Sequence, residues 1–307
     1  MKRGTWVTGI ALLLLAAMLP AGRTSTDSAD VPWWEAGDYW QYAYNHTHWR
    51  TETTTQPSDG NGTSYTVWHN VSFTATETVV GNMTVTVHNE TYDVVVVGSL
   101  LNGAASGVWG ENITVSTLDA AEYDMGKGTL GLQYLRRSDH AVVKTETVQG
   151  SEVLSAWSPT PPFVRLDFPL SVGKTWTWTG LWTGIYLMPP PEQPPNVTIY
   201  YTCLHMTEVS TPAGTFDCYE VTVGKGSDGN NASLIYYTPV VGNVVKEVLH
   251  WGANGTGGTT TKELLSYSYR GRTNAQKEET PSFEMFLFLS AAATAVLLLR
   301  KKEARET

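Results

Sequence analysis

Cysteine, charge and basic residues are all scarce in this sequence. Cys203 and Cys218 are the whole thiol complement of a 307-residue chain, and a metal reading of them would need more ligands at close spacing. Charged side chains make up only 16%, below the usual quarter. Between Arg23 and Glu279 there are 14 basic residues against 26 acidic ones. No basic stripe is present, which argues against a nucleic-acid partner. The chain also lacks a phosphate loop, a zinc constellation, a paired-carboxylate site and a nucleophile motif, so no cofactor is expected and the expected function is non-catalytic. What is abundant is different in kind: 12 Trp and 15 Tyr, 41% hydrophobic residues overall, and many Thr, Gly and Asn. That balance suits polar, uncharged surfaces over β structure.

Both ends read as targeting segments. Lys2 and Arg3 precede an apolar run from Trp6 to Leu19, and Pro20-Ala21-Gly22 supplies small residues for cleavage, so residues 1–22 are expected to be a secretory signal peptide. No Cys follows the run, so a lipid-anchored N-terminus is not expected. Residues 283–299 are an apolar stretch at the short limit for a spanning helix, followed at once by Arg300, Lys301 and Lys302. The positive cluster places tail 300–307 in the cytoplasm and the bulk outside, with 271–282 as a polar stalk. Between these signals lie nine Asn-X-Ser/Thr triplets, at Asn45, Asn61, Asn70, Asn82, Asn89, Asn112, Asn196, Asn231 and Asn254. Nine acceptors along one segment predict a glycosylated single-pass protein on the extracellular face of the cell membrane.

The segment between the signals reads as all-β. Aromatic and polar residues alternate at period two from Asp38 to Tyr44, and similar runs follow at 64–69, 71–79, 83–87, 92–97, 129–136 and 141–148. Ser116 to Tyr123 could form a short capped helix. Ser158-Pro159-Thr160-Pro161-Pro162 breaks ladder and helix alike and marks an expected domain boundary, after which strands recur at 197–209, 215–223, 233–237, 243–251 and 260–269. The two units repeat one order. Gly37-Asp38-Tyr39-Trp40 matches Gly173-Lys174-Thr175-Trp176, Thr91-Tyr92-Asp93 matches Thr215-Phe216-Asp217, and Leu132 through Lys144 matches Leu234 through Lys246, at offsets of 136, 124 and 102. The expected fold is therefore two tandem, repeat-related domains of curved antiparallel sheet, 33–157 and 163–270. Cys203 and Cys218 fall on the two arms of one hairpin, about the Pro212-Ala213-Gly214 turn, and are expected to form a cross-strand disulfide.

An opening Phe168-Pro169-Leu170-x-Val172-Gly173-x-x-Trp176, a turn Pro212-Ala213-Gly214-Thr215-Phe216 and a closing Tyr237-x-x-x-x-Gly242-x-Val244-x-Lys246 resemble a β-rich domain of prokaryotic exported proteins and lipoproteins of largely unassigned role. The resemblance covers about 100 residues and implies a strongly curved sheet, half-barrel-like, with no catalytic residues. Pro281-Ser282-Phe283, the apolar span and the basic cluster resemble the C-terminal sorting signal of archaeal surface proteins, where Pro-Gly-Phe precedes the span. Ser282 departs from that pattern, so a retained anchor is expected.

Candidate chemistry is thin. His46-Thr47-His48 could offer two imidazoles on one strand face to a metal, although the acceptor Asn45 beside them suggests an exposed loop. Asp139-His140 could pair as orienter and base, but the equivalent place in the second unit is a turn. Asp119, Glu122 and Asp124, or Asp228 with Asn230, could collect calcium without matching a loop signature. Asp93 and Asp217 read as strand-start hydrogen-bonding residues. Trp176, Trp178 and Trp182 form an aromatic row that could hold an apolar or glycan ligand, or simply pack the core. The expected protein is a surface binding or structural module, with the membrane and other envelope components as partners. A membrane-anchored hydrolase with an unrecognised site is the alternative.

Overall fold

The computed structural model describes residues 28–55, 62–110, 114–116, 129–186, 196–225, 233–253, 256–269 and 272–273. The signal peptide, the apolar span and both calcium candidates lie outside these residues, as does the short-helix candidate apart from Ser116, which ends a strand. Among the described residues no helix is long and apolar enough to cross a membrane. All regular structure in them is strand. A short β1 (Ser28–Ala29) precedes β2 (Tyr39–Thr55), β3 (Gly62–Val87), β4 (Glu90–Gly110), β5 (Thr114–Ser116), β6 (Thr129–Arg136), β7 (Val142–Gln149) and β8 (Glu152–Thr160). Then come β9 (Leu170–Ser171), β10 (Thr175–Tyr186), β11 (Val197–Thr211), β12 (Gly214–Lys225), β13 (Ser233–Thr238), β14 (Asn243–Ala253), β15 (Thr256–Tyr269) and β16 (Arg272–Thr273).

Twelve of these strands close into one antiparallel up-and-down barrel, in the order β2-β3-β4-β6-β7-β8-β10-β11-β12-β13-β14-β15 and back to β2. The two-domain expectation is thereby corrected. Each repeat supplies six consecutive strands, and the two sets join edge to edge at β8–β10 and at β15–β2. A curved six-strand sheet has two bare edges, each a row of unpaired N–H and C=O groups. Pairing each edge with the other repeat satisfies both at once. Ser158-Pro159-Thr160 is not a break either, because it belongs to β8, with Pro159 opposite Trp182. β8 pairs β7 only as far as Trp157; beyond it one side of the strand has no ladder partner, and a residue without an N–H is tolerated there.

The halves match in detail. The β6–β7 ladder shifts register at Tyr134/Leu135, where Tyr134 faces Lys144 and Leu135 faces Val142. The β13–β14 ladder shifts at Tyr236/Tyr237, facing Lys246 and Val244, the same positions at the 102 offset. A second shift at Val79/Gly81 recurs at Cys203/His205. The turns before β2 and β10 agree as well. Gly37 N–H donates to Val79 O (2.9 Å) and Gly173 N–H to Cys203 O (2.8 Å), while Asp38 N–H donates to Glu35 O and Lys174 N–H to Ser171 O.

Beyond the second shift, each long hairpin bends back over the outside of the barrel. The β3–β4 hairpin buries Val80, Met83, Val85 and Tyr92 against Val94, Val96, Leu132, Tyr134 and Val143, and its His88 lies 3.3 Å from the Thr183 hydroxyl on β10. The β11–β12 hairpin sets Ala213 N–H on Leu264 O (3.2 Å) and packs Phe216 edge-on to Tyr267. Here the disulfide expectation fails. Cys203 lies opposite Val221 and Cys218 opposite Thr207, four positions apart along the ladder, or roughly 13 Å at strand spacing, well beyond bridging distance. They also belong to different core clusters. Both are free and buried, and burial pushes the Cys218 thiol up to about 12.

Candidate functional site: the barrel lumen

Alternation along the strands decides what faces inward. On β2, Trp40 and Tyr42 are fully buried while Asn45 is exposed. On β10 the inward phase carries Trp176, Trp178, Gly180 and Trp182, of which Trp178 is buried. The outer face of β2, β3 and β15 is instead mostly Gln, Asn, Ser, Thr and Glu, with Tyr39 and Ala43 among them. This polarity is opposite to that of a membrane-spanning barrel, whose outer band is apolar.

The segment joining the repeats, residues 161–169, runs inside the barrel. Phe163 and Val142 exchange backbone hydrogen bonds of 2.8 and 2.9 Å, and the Phe163 ring meets Trp178 at 5.0 Å and Trp182 at 5.4 Å. The Trp178 indole N–H donates to the Pro161 and Pro162 carbonyls. Two residues on, Arg165 pairs with the buried Glu247 of β14. What remains is a cavity of about 450 Å³, walled by Trp34, Phe163, Phe168, Trp182, Ile199 and Leu249 among its apolar residues, within the range of small-molecule sites.

One wall of this cavity is charged. Lys262 Nζ lies 2.5 Å from Glu77 Oε1 and 3.9 Å above the centre of the Tyr42 ring. The Tyr44 hydroxyl donates to the same carboxylate at 3.2 Å. Burial lowers the Lys262 pKa, and Glu77 works against that shift. Burial, with Glu77 close by, holds the Tyr42 and Tyr44 hydroxyls well above their ordinary value. Two cations and two carboxylates, Arg165, Lys262, Glu77 and Glu247, thus neutralise one another inside the barrel. Removing one member of such a buried pair typically costs about 3–5 kcal/mol, because its partner is left uncompensated.

The opposite wall is uncharged at the equivalent positions. Register matching places Tyr201 where the first half has Glu77, and Trp157 and Thr145 where the second half has Lys262 and Glu247. Burial raises the Tyr201 hydroxyl to about 12. Its ring stacks flat on Trp176, with centroids 5.0 Å apart and planes 2° apart. Two related halves therefore enclose a lumen with one ionic side and one aromatic side.

The residues singled out from sequence fall in different places. Of the aromatic row, Trp182 lines the cavity, Trp178 is core with its N–H spent on the linker, and Trp176 is stacked on Tyr201. His46 and His48 are not in a loop: they share the inner phase of β2 with Tyr44, and His46 Nδ1 sits 2.8 Å from the Thr260 hydroxyl. Burial, then His48, lowers the His46 pKa. Among the described residues no group of three or more His, Cys, Asp or Glu is placed to hold a metal. Asp139 and His140 do sit in a turn but do not pair. The Asp139 carboxylate takes Arg136 and the Ala141 N–H, while His140 packs 4.2 Å from Trp34 and lines the cavity. Burial brings its pKa down to about 4. Asp93 accepts the Thr84 hydroxyl across the hairpin at 3.1 Å. Sequence reasoning missed Glu77, Arg165, Glu247 and Lys262. The signal was available for two of them, since Glu77 is in phase with Ala75 and Val79, and Lys262 with Leu264.

The fold and site define a class, a closed 12-strand barrel whose lumen has one ionic and one aromatic side. No family model, curated protein or solved structure matches the chain.

Proposed function

We propose that this chain is a membrane-anchored, N-glycosylated surface protein whose barrel binds a small amphiphile in its lumen without transforming it. The carrying observation is the two-sided cavity, aromatic on one wall and internally neutralised on the other. An apolar body would lie against Trp182, Phe163 and Ile199, and a polar group would reach Glu77, Lys262 or Arg165. A glycan is the poorer fit, because the aromatic row that might have stacked on sugars is largely spent on packing. The hydrolase alternative draws on the convergence of four ionisable groups. Against it, both carboxylates are already engaged, Glu77 by Lys262 and Tyr44 and Glu247 by Arg165.

The test uses an environment-sensitive fluorescent amphiphile and the variant Val223→Phe. Val223 lines the cavity, and the larger ring should fill it at a cost of about 1–3 kcal/mol in stability. Saturable fluorescence enhancement with the parent protein, reduced at least tenfold in affinity by Val223→Phe while the fold persists, is the expected result. No enhancement, or equal binding by both proteins, would sink the reading.

A further inference from the structure

A closed up-and-down barrel with an even number of strands returns its chain to the end where it began. Here β1, the start of β2 and the end of β15 with β16 all lie at one rim, together with the turns around 137–140, 170–174 and 239–242. The contacts agree. Trp34 Nε1 donates to Gly242 O at 2.8 Å, Arg137 lies 5.1 Å over the Trp33 ring, and β1 pairs with β9. This rim carries three of the most exposed large apolar side chains, Trp33 at 56%, Val172 at 52% and Val240 at 46%. The glycan acceptors keep away from it. Six connections join strand ends that lie at the opposite end, and the sequences of five of them contain an acceptor: Asn61, Asn112, Asn196, Asn231 and Asn254. The sixth is the tight turn at Gly150-Ser151. Asn45 and Asn70 are exposed on the barrel side, and Asn82 and Asn89 on the hairpin that bends away from the rim toward Thr183.

The chain outside the barrel decides what meets this rim. Nine residues separate Thr273 from the apolar run that starts at Phe283, a reach of at most about 35 Å. We propose that the rim bearing Trp33, Val172 and Val240 rests on the lipid bilayer that holds the C-terminal span, with the acceptor-bearing end pointing outward. The inference rests on the anchored reading of residues 283–299. Tryptophan suits the headgroup region, where one end of the ring is wet and the other apolar, and an end free of acceptor sites can approach lipid without bulky sugars between. The rim-side lining of the cavity, Pro32, Trp34, His140 and Phe168, then lies on the membrane side of the barrel, where an amphiphile drawn from the bilayer would first meet it.

The experiment uses the full chain in phosphatidylcholine vesicles doped with a rhodamine-headgroup lipid as energy-transfer acceptor. Donor dyes are placed on Val240→Cys, on Val172→Cys as a second rim site, and on Ser151→Cys at the far end; the native cysteines are buried and stay in place. Several-fold more efficient transfer from both rim sites than from Ser151→Cys is expected. Equal transfer, or stronger transfer from Ser151→Cys, would overturn the orientation. Flotation of the unlabelled chain with the same vesicles reports on the anchor alone: without it the premise falls and the inference with it.

Discussion

His140 holds a left-handed backbone conformation, φ +57°, at the position where the second repeat has Gly242 at +66°. Its N–H donates to Arg136 O as that of Gly242 does to Thr238 O, so both turns need the same αL residue and only one uses glycine. In exchange, His140 gives the rim a ring to pack on Trp34. Burial holds that ring neutral, with its pKa lowered from 6.5 to about 4. The unfolded chain therefore binds the proton first as pH falls. This contribution to stability is whole above pH 6.5 and is lost as pH falls from there through 4. At pH 4.5 the loss amounts to about 2.5 kcal/mol. His140→Asn keeps a residue that tolerates αL and removes the titration. Urea unfolding at pH 7 and 4.5 should show a smaller acid loss in the variant, by about 2.5 kcal/mol. Equal losses would remove His140 from the acid response.

At the scale of single strands, β10 shows why an inward aromatic row need not be a ligand platform. Trp178 and Trp182 each lie one inward step from Gly180, and a Cβ there would come within 2.4 Å of the Trp178 ring and 2.8 Å of the Thr160 carbonyl. Gly180 thus lets a large ring lie flat beneath the β8 seam. Gly180→Ala should cost about 1–3 kcal/mol by overpacking. Gly131→Ala, whose new methyl would meet nothing nearer than 3.8 Å, should stay within about 0.5 kcal/mol. Thermal midpoints of the two variants decide this, and equal shifts would contradict it. Most strands were legible because period-two alternation in β2, β3, β6, β7 and β11 to β15 is a local property. β8 was hidden by Pro159 and the two prolines just past its end; Pro159 matters little on a strand paired on one side beyond Trp157. The cysteine pairing was misread because the shift at Cys203/His205 depends on how two strands meet, and a sequence does not display that. The lumen's charges were hidden for a similar reason. Glu77 and Lys262 are 185 residues apart, and Arg165 lies in a stretch whose composition reads as a linker.

For the whole molecule, repetition and closure are one fact. The repeat was visible in the sequence, but two separate domains and two halves of one barrel have the same local pattern. Only the pairing of β8 with β10 and of β15 with β2 distinguishes them. A half on its own should therefore expose both edges. Residues 161–273 expressed alone should associate through β10 and β15, appearing as a dimer or larger species by light scattering. A stable monomer would contradict the single-barrel architecture. Closure also gives the lumen its character, because divergence between the halves sets Glu77, Glu247 and Lys262 against Tyr201, Thr145 and Trp157 across one enclosed space.

The most direct test of a ligand-holding lumen is native mass spectrometry of the chain, isolated gently from its native source. A defined extra mass that leaves on denaturation, and is absent from Val223→Phe, is the expected result. A clean apo mass for the parent protein, unchanged after incubation with lipid extract, would contradict the binding function.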